Sequence, residues 1–254
     1  MDVSVVIPTL KQPNELIVLD YLEQCDFDSY EVILRDDYPV TAARNRGYEA
    51  AATNKIIYLD DDSMPRPGYL REASLTLDTE AAVAGKTIHP RDDLFAGQLT
   101  SHYDFGSEPR HVNRFWGCNM AIRREVLEET GGWDETIGWG HEEKELAERV
   151  LVDHRIYYNP TMVVDHVYAD SLRDYLQKQY KLERKTPYFL QQQGHTENEI
   201  LRLLLTDLFD PSNYFGRSPS LMLARSARMI AATSGRLAGY FDLRSSRISN
   251  EIQS

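Results

Sequence analysis

The chain is poor in cysteine, in long apolar runs and in basic charge. Two cysteines occur in 254 residues, Cys25 and Cys118, far apart and in no CxxC pair. This argues against a disulfide framework and against a cysteine-based zinc site. No apolar run reaches the ~18 residues of a membrane-spanning helix, so none is expected. The first residues, MDVSVVIPTL, contain no basic region and meet Pro8 early, so a secretory leader is not expected either. Lys and Arg number 28 against 40 Asp and Glu, for a net charge of −12. A field of that sign repels a phosphate backbone, which disfavours general nucleic-acid binding. The expected setting is reducing and cytoplasmic.

What is present suits an α/β domain. Hydrophobic residues make up 42% and charged residues 27%, close to globular averages. Val3–Ile7 is a β-branched run stopped by Pro8 and predicts a buried strand. Further strands are expected at Tyr30–Leu34, Lys55–Leu59, Ala81–Ile88, Cys118–Ile122, Ile156–Tyr158 and Met162–Val167. Helical spacing is expected over Asn14–Gln24, Val40–Ala52, Gly68–Leu77, Arg124–Thr130 and Glu142–Val152, and over most of the chain after Ala169. Strand and helix alternating at this spacing predict a mainly parallel sheet flanked by helices. His89–Asn113 has little periodicity and suits a functional loop region.

Four constellations carry chemistry. Asp60-Asp61-Asp62 follows a buried strand directly. Residues i and i+2 of a strand point the same way, so Asp60 and Asp62 project together from its carboxyl end. Open α/β sheets bind ligands there, and two carboxylates suit Mg²⁺ or Mn²⁺ with phosphate oxygens. Asp36-Asp37 also stands at a strand's carboxyl end, where a carboxylate can accept bonds from a base or a ribose; an ordinary turn is the alternative. Arg44 and Asn45 follow on a helix start, either to reach a diphosphate or as a solvated face.

Gly138-Trp139-Gly140-His141-Glu142-Glu143 opens a helix with apolar positions Leu146, Ala147, Val150 and Leu151. At ~100° per residue, Glu143 falls near the centre of that stripe and Glu142 about 100° away. An inward, ionised Glu143 at a helix N-terminus suits a general base; a plain capping carboxylate is the alternative. Trp139, between two glycines, can meet a sugar ring or belong to the core. His166, on a strand, can complete a metal shell with Asp62, although a lone His is more often structural.

Taken together these segments resemble the family-2 glycosyltransferases with the GT-A fold. Val3 to Thr9 resembles their first strand, Asp36-Asp37 their nucleotide-binding acidic pair, and Leu59 to Asp62 their metal-binding DxD. Gly117-Cys118-Asn119-Met120, with Gly131-Gly132-Trp133-Asp134-Glu135, resembles their acceptor-side segment, and Trp139 to Glu143 their WGxED motif. Two departures stand out: Glu143 replaces the usual Asp, and the acidic pair's stretch is contracted to Asp36–Thr41. The resemblance implies a metal-dependent, inverting transferase taking a UDP- or GDP-linked sugar with Mn²⁺ or Mg²⁺. It implies Asp60, Asp62 and His166 as metal ligands, and Thr9, Asp36, Asp37, Arg44, Asp60 and Asp61 around the nucleotide. Trp116, Gly117 and Trp139 would face the acceptor, with Glu143, or else Glu142, as base. It covers about residues 1–185, a nucleotide half to about 90 and an acceptor half beyond, leaving 186–254 as a helical extension. A sugar-1-phosphate nucleotidylyltransferase is a rival, although its Gly-rich first loop is missing; a non-catalytic nucleotide-sugar-binding protein is another.

The extension reverses the overall charge: residues 217–254 carry six Arg and two acidic residues. Met222, Met229, Ile230, Leu237, Tyr240 and Phe241 fall in one helical sector of roughly 120°, flanked by Arg225, Arg228 and Arg236. Such a face can lie peripherally on an anionic membrane surface and would suit a lipid-linked acceptor, as in cell-surface glycan assembly. Alternatively the helix packs on the protein, its Arg residues paired with acidic groups. Gly235 would weaken a long helix there.

Overall fold

The computed structural model describes residues 1–91, 99, 103–216 and 218–253, and the side chains up to 245. The chain divides into two compact units, Met1–Asp92 with Thr100–Val167, and Asp93–Leu99 with Tyr168–Ser254.

The first unit is built on β1 (Val3–Pro8), β2 (Tyr30–Arg35), β3 (Lys55–Tyr58), β4 (Met64–Pro65), β5 (Ala82–Ile88), β6 (Arg110–Val112), β7 (Met120–Arg123) and β8 (Ile156–Asp165). The sheet runs β2-β1-β3-β7-β5-β8-β4, with β6 paired to β8. Pairing is parallel for β2–β1, β1–β3 and β5–β8, and antiparallel around β7 and at β4 and β6. Its helices are α1 (Ile17–Leu22), α2 (Val40–Ala50), α3 (Tyr69–Leu77), α4 (Arg124–Thr130) and α5 (Glu142–Asp153).

Strand alternation divides the core between the two sheet faces. Val5, Ile7, Ile57 and Leu59 pack with α1 and α3 residues such as Val18, Leu22, Leu70 and Leu77. Val6, Ile56 and Tyr58 pack with Val126 and Leu127 of α4 and Leu146, Ala147 and Val150 of α5. Burial on both faces is why these strands read as unbroken apolar runs.

Three boundaries differ from the sequence expectation. The helix expected over Asn14–Gln24 is a 3₁₀ turn, Pro13–Glu15, then α1; Leu16 between them is extended. The two strands expected at Ile156–Tyr158 and Met162–Val167 are one strand, β8. A register shift between Gly85 and Lys86 of β5 carries the pairing from Asn159 to Val163, past Pro160, Thr161 and Met162. The short β6 lies within the stretch expected as loop, where residues 92–98 and 100–102 fall outside the described residues.

The second unit holds α6 (Leu172–Glu183), α7 (Thr186–Gln192), α8 (Glu197–Phe209) and α9 (Pro219–Gln253). Besides Asp93–Leu99 it takes in the chain from Tyr168 on, whereas the sequence expectation places the boundary at 186. Gly235 does not interrupt α9. A Cβ on Gly235 or Gly239 would run into the backbone of Tyr180 or Arg184, so the two glycines let α9 close tightly on the end of α6. Along α9, Leu221, Ala224, Met229, Tyr240 and Leu243 are buried, whereas Leu223, Ile230 and Phe241 are exposed. Met229 and Tyr240 of the expected apolar sector are therefore core. Its flanking Arg236 donates to Glu183 at 2.6 and 3.1 Å and to Asp207 at 2.8 Å. Arg217 lies outside the described residues.

Candidate active site

The site forms where β3 ends. In the turn that follows β3, Asp61 faces away from its two neighbours: it accepts a bond from the Thr9 hydroxyl at 2.7 Å and pairs with Lys11 at 2.9 Å. Thr9 is thus engaged by Asp61. Asp60 and Asp62 turn the other way, toward His166 at the end of β8. His166 Nε2 lies 3.1 Å from Asp62 Oδ1 and 3.9 Å from Asp60 Oδ2. Ser63, missed in the sequence and fully buried, pins this turn. Its hydroxyl accepts from the Asp60 N–H at 3.2 Å and donates to the Cys118 carbonyl at 3.1 Å.

Asp60, His166 and the Cys118 thiol each offer a ligand atom, all within 4.8 Å of one another. Carboxylate and imidazole converging this closely fit a divalent cation. The two aspartates are held differently. Burial raises the Asp60 carboxyl above its ordinary value, partly offset by Arg44 and His166. Burial also opposes ionisation of Asp62, but the bond and charge of His166 outweigh it and hold Asp62 below its usual value.

A second cluster adjoins Asp60. Arg44 of α2 is only 3% exposed, and its guanidinium sits over the Trp133 ring, 4.5 Å from the centroid. It donates to Glu142 at 3.2 Å and lies 3.6 Å from Asp60. Burial disfavours its charge, but Glu142, Glu143 and Asp60 together raise its pKa. Arg44 is therefore not presented to a diphosphate as expected; it is the buried countercharge of three carboxylates. Asn45 beside it bonds Trp133 and Glu135.

The two glutamates of α5 also differ from expectation. Glu142, placed off the apolar stripe by helical spacing, is 3% exposed. Its Oε1 meets Arg44, and its buried Oε2 has no hydrogen-bond partner among the described residues. Glu143 is half-buried as a residue, and Oε1 accepts from the Gly117 N–H at 3.2 Å. Burial, then the charge of Glu142, pushes its carboxyl up to about 8. Gly117 has no room for a side chain: a Cβ would meet Arg44 and Glu143.

Trp116 is half-buried, its ring 4.5 Å from that of Tyr103, whereas Trp139 is 43% exposed. Gly140 and His141 after Trp139 are both left-handed, with φ of 87° and 71°. Asp36 and Asp37 stand at the end of β2, on the far side of β1 from β3. Asp37 pairs with Arg35 at 2.7 Å, and Asp36 is exposed.

The likenesses of the chain agree with this geometry. A family described as the N-terminal domain of galactosyltransferase (Glyco_transf_7C) matches residues 98–167. A pre-mycofactocin glycosyltransferase of Mycobacterium tuberculosis is 30% identical over 152 residues, covering 53% of this chain and 31% of the relative. A glucosyl-dolichyl phosphate glucuronosyltransferase of Haloferax volcanii is 24% identical over 193 residues, covering 64% of this chain and 62% of the relative. The chain thus spans less than two thirds of the length of each. Among solved structures, a mannosyltransferase from Pyrobaculum calidifontis in complex with GDP-Man and Mn²⁺ superimposes with a TM-score of 0.53 at 15% identity, covering 99% of this chain and 80% of its own. GalNAc-T7 with UDP, GalNAc and Mn²⁺ superimposes with a TM-score of 0.51, also at 15% identity, covering 73% of this chain and 50% of its own. The fold is that of the GT-A glycosyltransferases, and part of the sequence is similar to proteins named as glycosyltransferases.

Proposed function

We propose that the protein moves a sugar from a nucleotide-diphosphate sugar to an acceptor hydroxyl, with inversion at the anomeric carbon. The observation that carries this is the convergence of Asp60, Asp62 and His166 at the end of β3, next to an enclosed carboxylate, Glu143, on α5. Asp60, Asp62 and His166 would hold Mn²⁺ or Mg²⁺. Such an ion, when bound, neutralises charge on a leaving diphosphate. Glu143 takes the proton of the acceptor hydroxyl at its carboxylate, and the Gly117 N–H fixes the orientation of that carboxylate. Arg44 holds Glu142 and balances the charge beneath the site. Trp116 and Trp139 offer flat apolar faces to sugar rings, and Asp36, Asp37 and Thr9 line the nucleotide side.

Two neighbours in fold were solved with UDP or GDP-Man, which supports a donor of that class. The Haloferax relative is named for glucosyl-dolichyl phosphate, which supports a lipid-linked acceptor here. The exposed Leu223, Ile230 and Phe241 of α9 would then meet an anionic membrane surface. Arg236, committed to Glu183 and Asp207, supports the packed helix instead. Changing Leu223, Ile230 and Phe241 to Ser in the intact chain should abolish flotation with anionic liposomes; equal flotation removes the membrane from the proposal.

The deciding experiment is a panel of UDP- and GDP-linked sugars with Mn²⁺, scored for release of the nucleoside diphosphate and then for product anomeric configuration. Turnover of one donor that stops on chelation is expected. No turnover with any donor, or retention of configuration, overturns the proposal.

A further inference from the structure

The proposed reaction gives the Cys118 thiol no role, yet it forms a group of three ligand atoms with Asp60 and His166. The residue is 4% exposed, and its thiol converges with Asp60 and His166 on the same point. Its placement is built. Ser63 ties the Cys118 carbonyl to the turn that carries Asp60. The next residue, Asn119, is fully buried and donates to the Lys86 carbonyl at 3.0 Å, the Thr87 hydroxyl at 3.2 Å and the Met162 carbonyl at 3.3 Å. The Thr87 hydroxyl stands 4.0 Å from the thiol sulfur. The backbone on both sides of Cys118 is thus locked to the strands that present Asp60 and His166.

We propose that Cys118 gives this centre a second coordination mode, in which a softer divalent cation such as Zn²⁺, Co²⁺ or Cd²⁺ is held by Asp60, His166 and the Cys118 thiolate. The proposal rests on the site being a metal centre, as argued above, and adds which ions it selects. Carboxylate oxygens suit Mn²⁺ and Mg²⁺, whereas imidazole suits borderline ions such as Zn²⁺ and a thiolate favours the softer ones. Around a tetrahedral Zn²⁺, bonds of about 2.0–2.3 Å put ligand atoms roughly 3.5 Å apart. The three ligand atoms, all within 4.8 Å of one another, would draw in to about that spacing on binding. On binding, a sulfur–metal bond forms and the thiol proton passes to solvent; no oxidant or reductant takes part. A soft ion seated this way competes with the ion that supports transfer.

The test is a Co²⁺ titration of the chelated, reduced full chain, followed in the near ultraviolet, where thiolate-to-cobalt charge transfer absorbs. The wild type should develop that band, Cys25→Ser should keep it, and Cys118→Ser and Cys118→Ala should lose it with unchanged circular dichroism. Zn²⁺ affinity should fall at least about tenfold in both Cys118 variants, with Mn²⁺ affinity unchanged. Co²⁺ binding to the wild type without the band, or a band that survives in a folded Cys118 variant, overturns the role of Cys118 while leaving Mn²⁺ binding intact. If neither Mn²⁺ nor Co²⁺ binds, the metal centre itself falls.

Discussion

Arg44 and Arg236 each sit among carboxylates, in different units, and they are balanced differently. Arg236 has two acidic partners, Glu183 and Asp207, in short and direct bonds. Arg44 is more deeply buried and answers to three, Glu142, Glu143 and Asp60. One carboxylate oxygen beside it has no hydrogen-bond partner among the described residues, and the neighbouring Glu143 is pushed far above its ordinary pKa. An ion pair that only holds helices together satisfies its atoms. A cluster that leaves an acid unsatisfied in a buried place has another use, because burying such charge is costly.

The contrast can be broken by substitution. Glu143→Gln should lower turnover by ~10²–10⁴-fold, the range for loss of acid–base catalysis, with donor binding retained. If Glu142→Gln is the inactive variant instead, the assignment of the pair is reversed. Arg44→Ala should cost about 3–5 kcal/mol in denaturant unfolding, because it strands Glu142 in a buried site. A loss below 1 kcal/mol would mean that the buried carboxylates find other partners.

The pH dependence sharpens the same point. Glu143 acts as a base only when ionised, so kcat/KM should rise with pH toward a limb near 8, by about tenfold per unit below it. Stability should move the opposite way. The folded protein keeps a proton on Glu143 that the unfolded chain has released above about 4.5, so the contribution of this group is full below 4.5 and is lost as pH rises through 8. Glu143→Gln should remove both slopes. A limb below pH 6 would show that Glu143 is ionised more easily than its burial implies. The smallest effect belongs to the other arginine. Arg236→Ala should cost about 1–3 kcal/mol by leaving Glu183 underpaired, with turnover unchanged. Lost turnover there would erase the distinction between the two.

The strands and the acidic turn were legible because local pattern decides them. β1 and β3 are apolar on both faces, and the i, i+2 spacing points Asp60 and Asp62 the same way, as their approach to His166 does, although all three aspartates lie past the end of β3. What was illegible came from distant partners. Helical spacing chose Glu143 over Glu142 as the inward residue, because Arg44, which buries Glu142, arrives from 98 positions away. Arg44 itself read as free to meet phosphate, since nothing near it in sequence announces three carboxylates. Gly235 read as a weakness because the backbone of α6, which needs its bare Cα, is separated by a long loop and two helices. Cys118 was set aside as one of two unpaired cysteines, and only the pairing of β5, β7 and β8 brings it to His166. Ser63 gave one signal that could have found it: a hydroxyl three residues after Asp60, at the spacing of a side-chain-closed turn.

The left-handed pair Gly140 and His141 has a consequence for how this protein tolerates change. Two successive residues at positive φ swing the chain sharply into α5, and a side chain at the first of them is poorly accommodated. Trp139, just ahead, stands largely in the open. In a saturation library, position 139 should accept a broad alphabet of side chains and position 140 little besides glycine. If Trp139 meets the acceptor, as proposed, that arm can be re-lettered at its tip while its root stays frozen. Such an arrangement would let acceptor preference drift between lineages without disturbing Glu142 and Glu143, which follow the root.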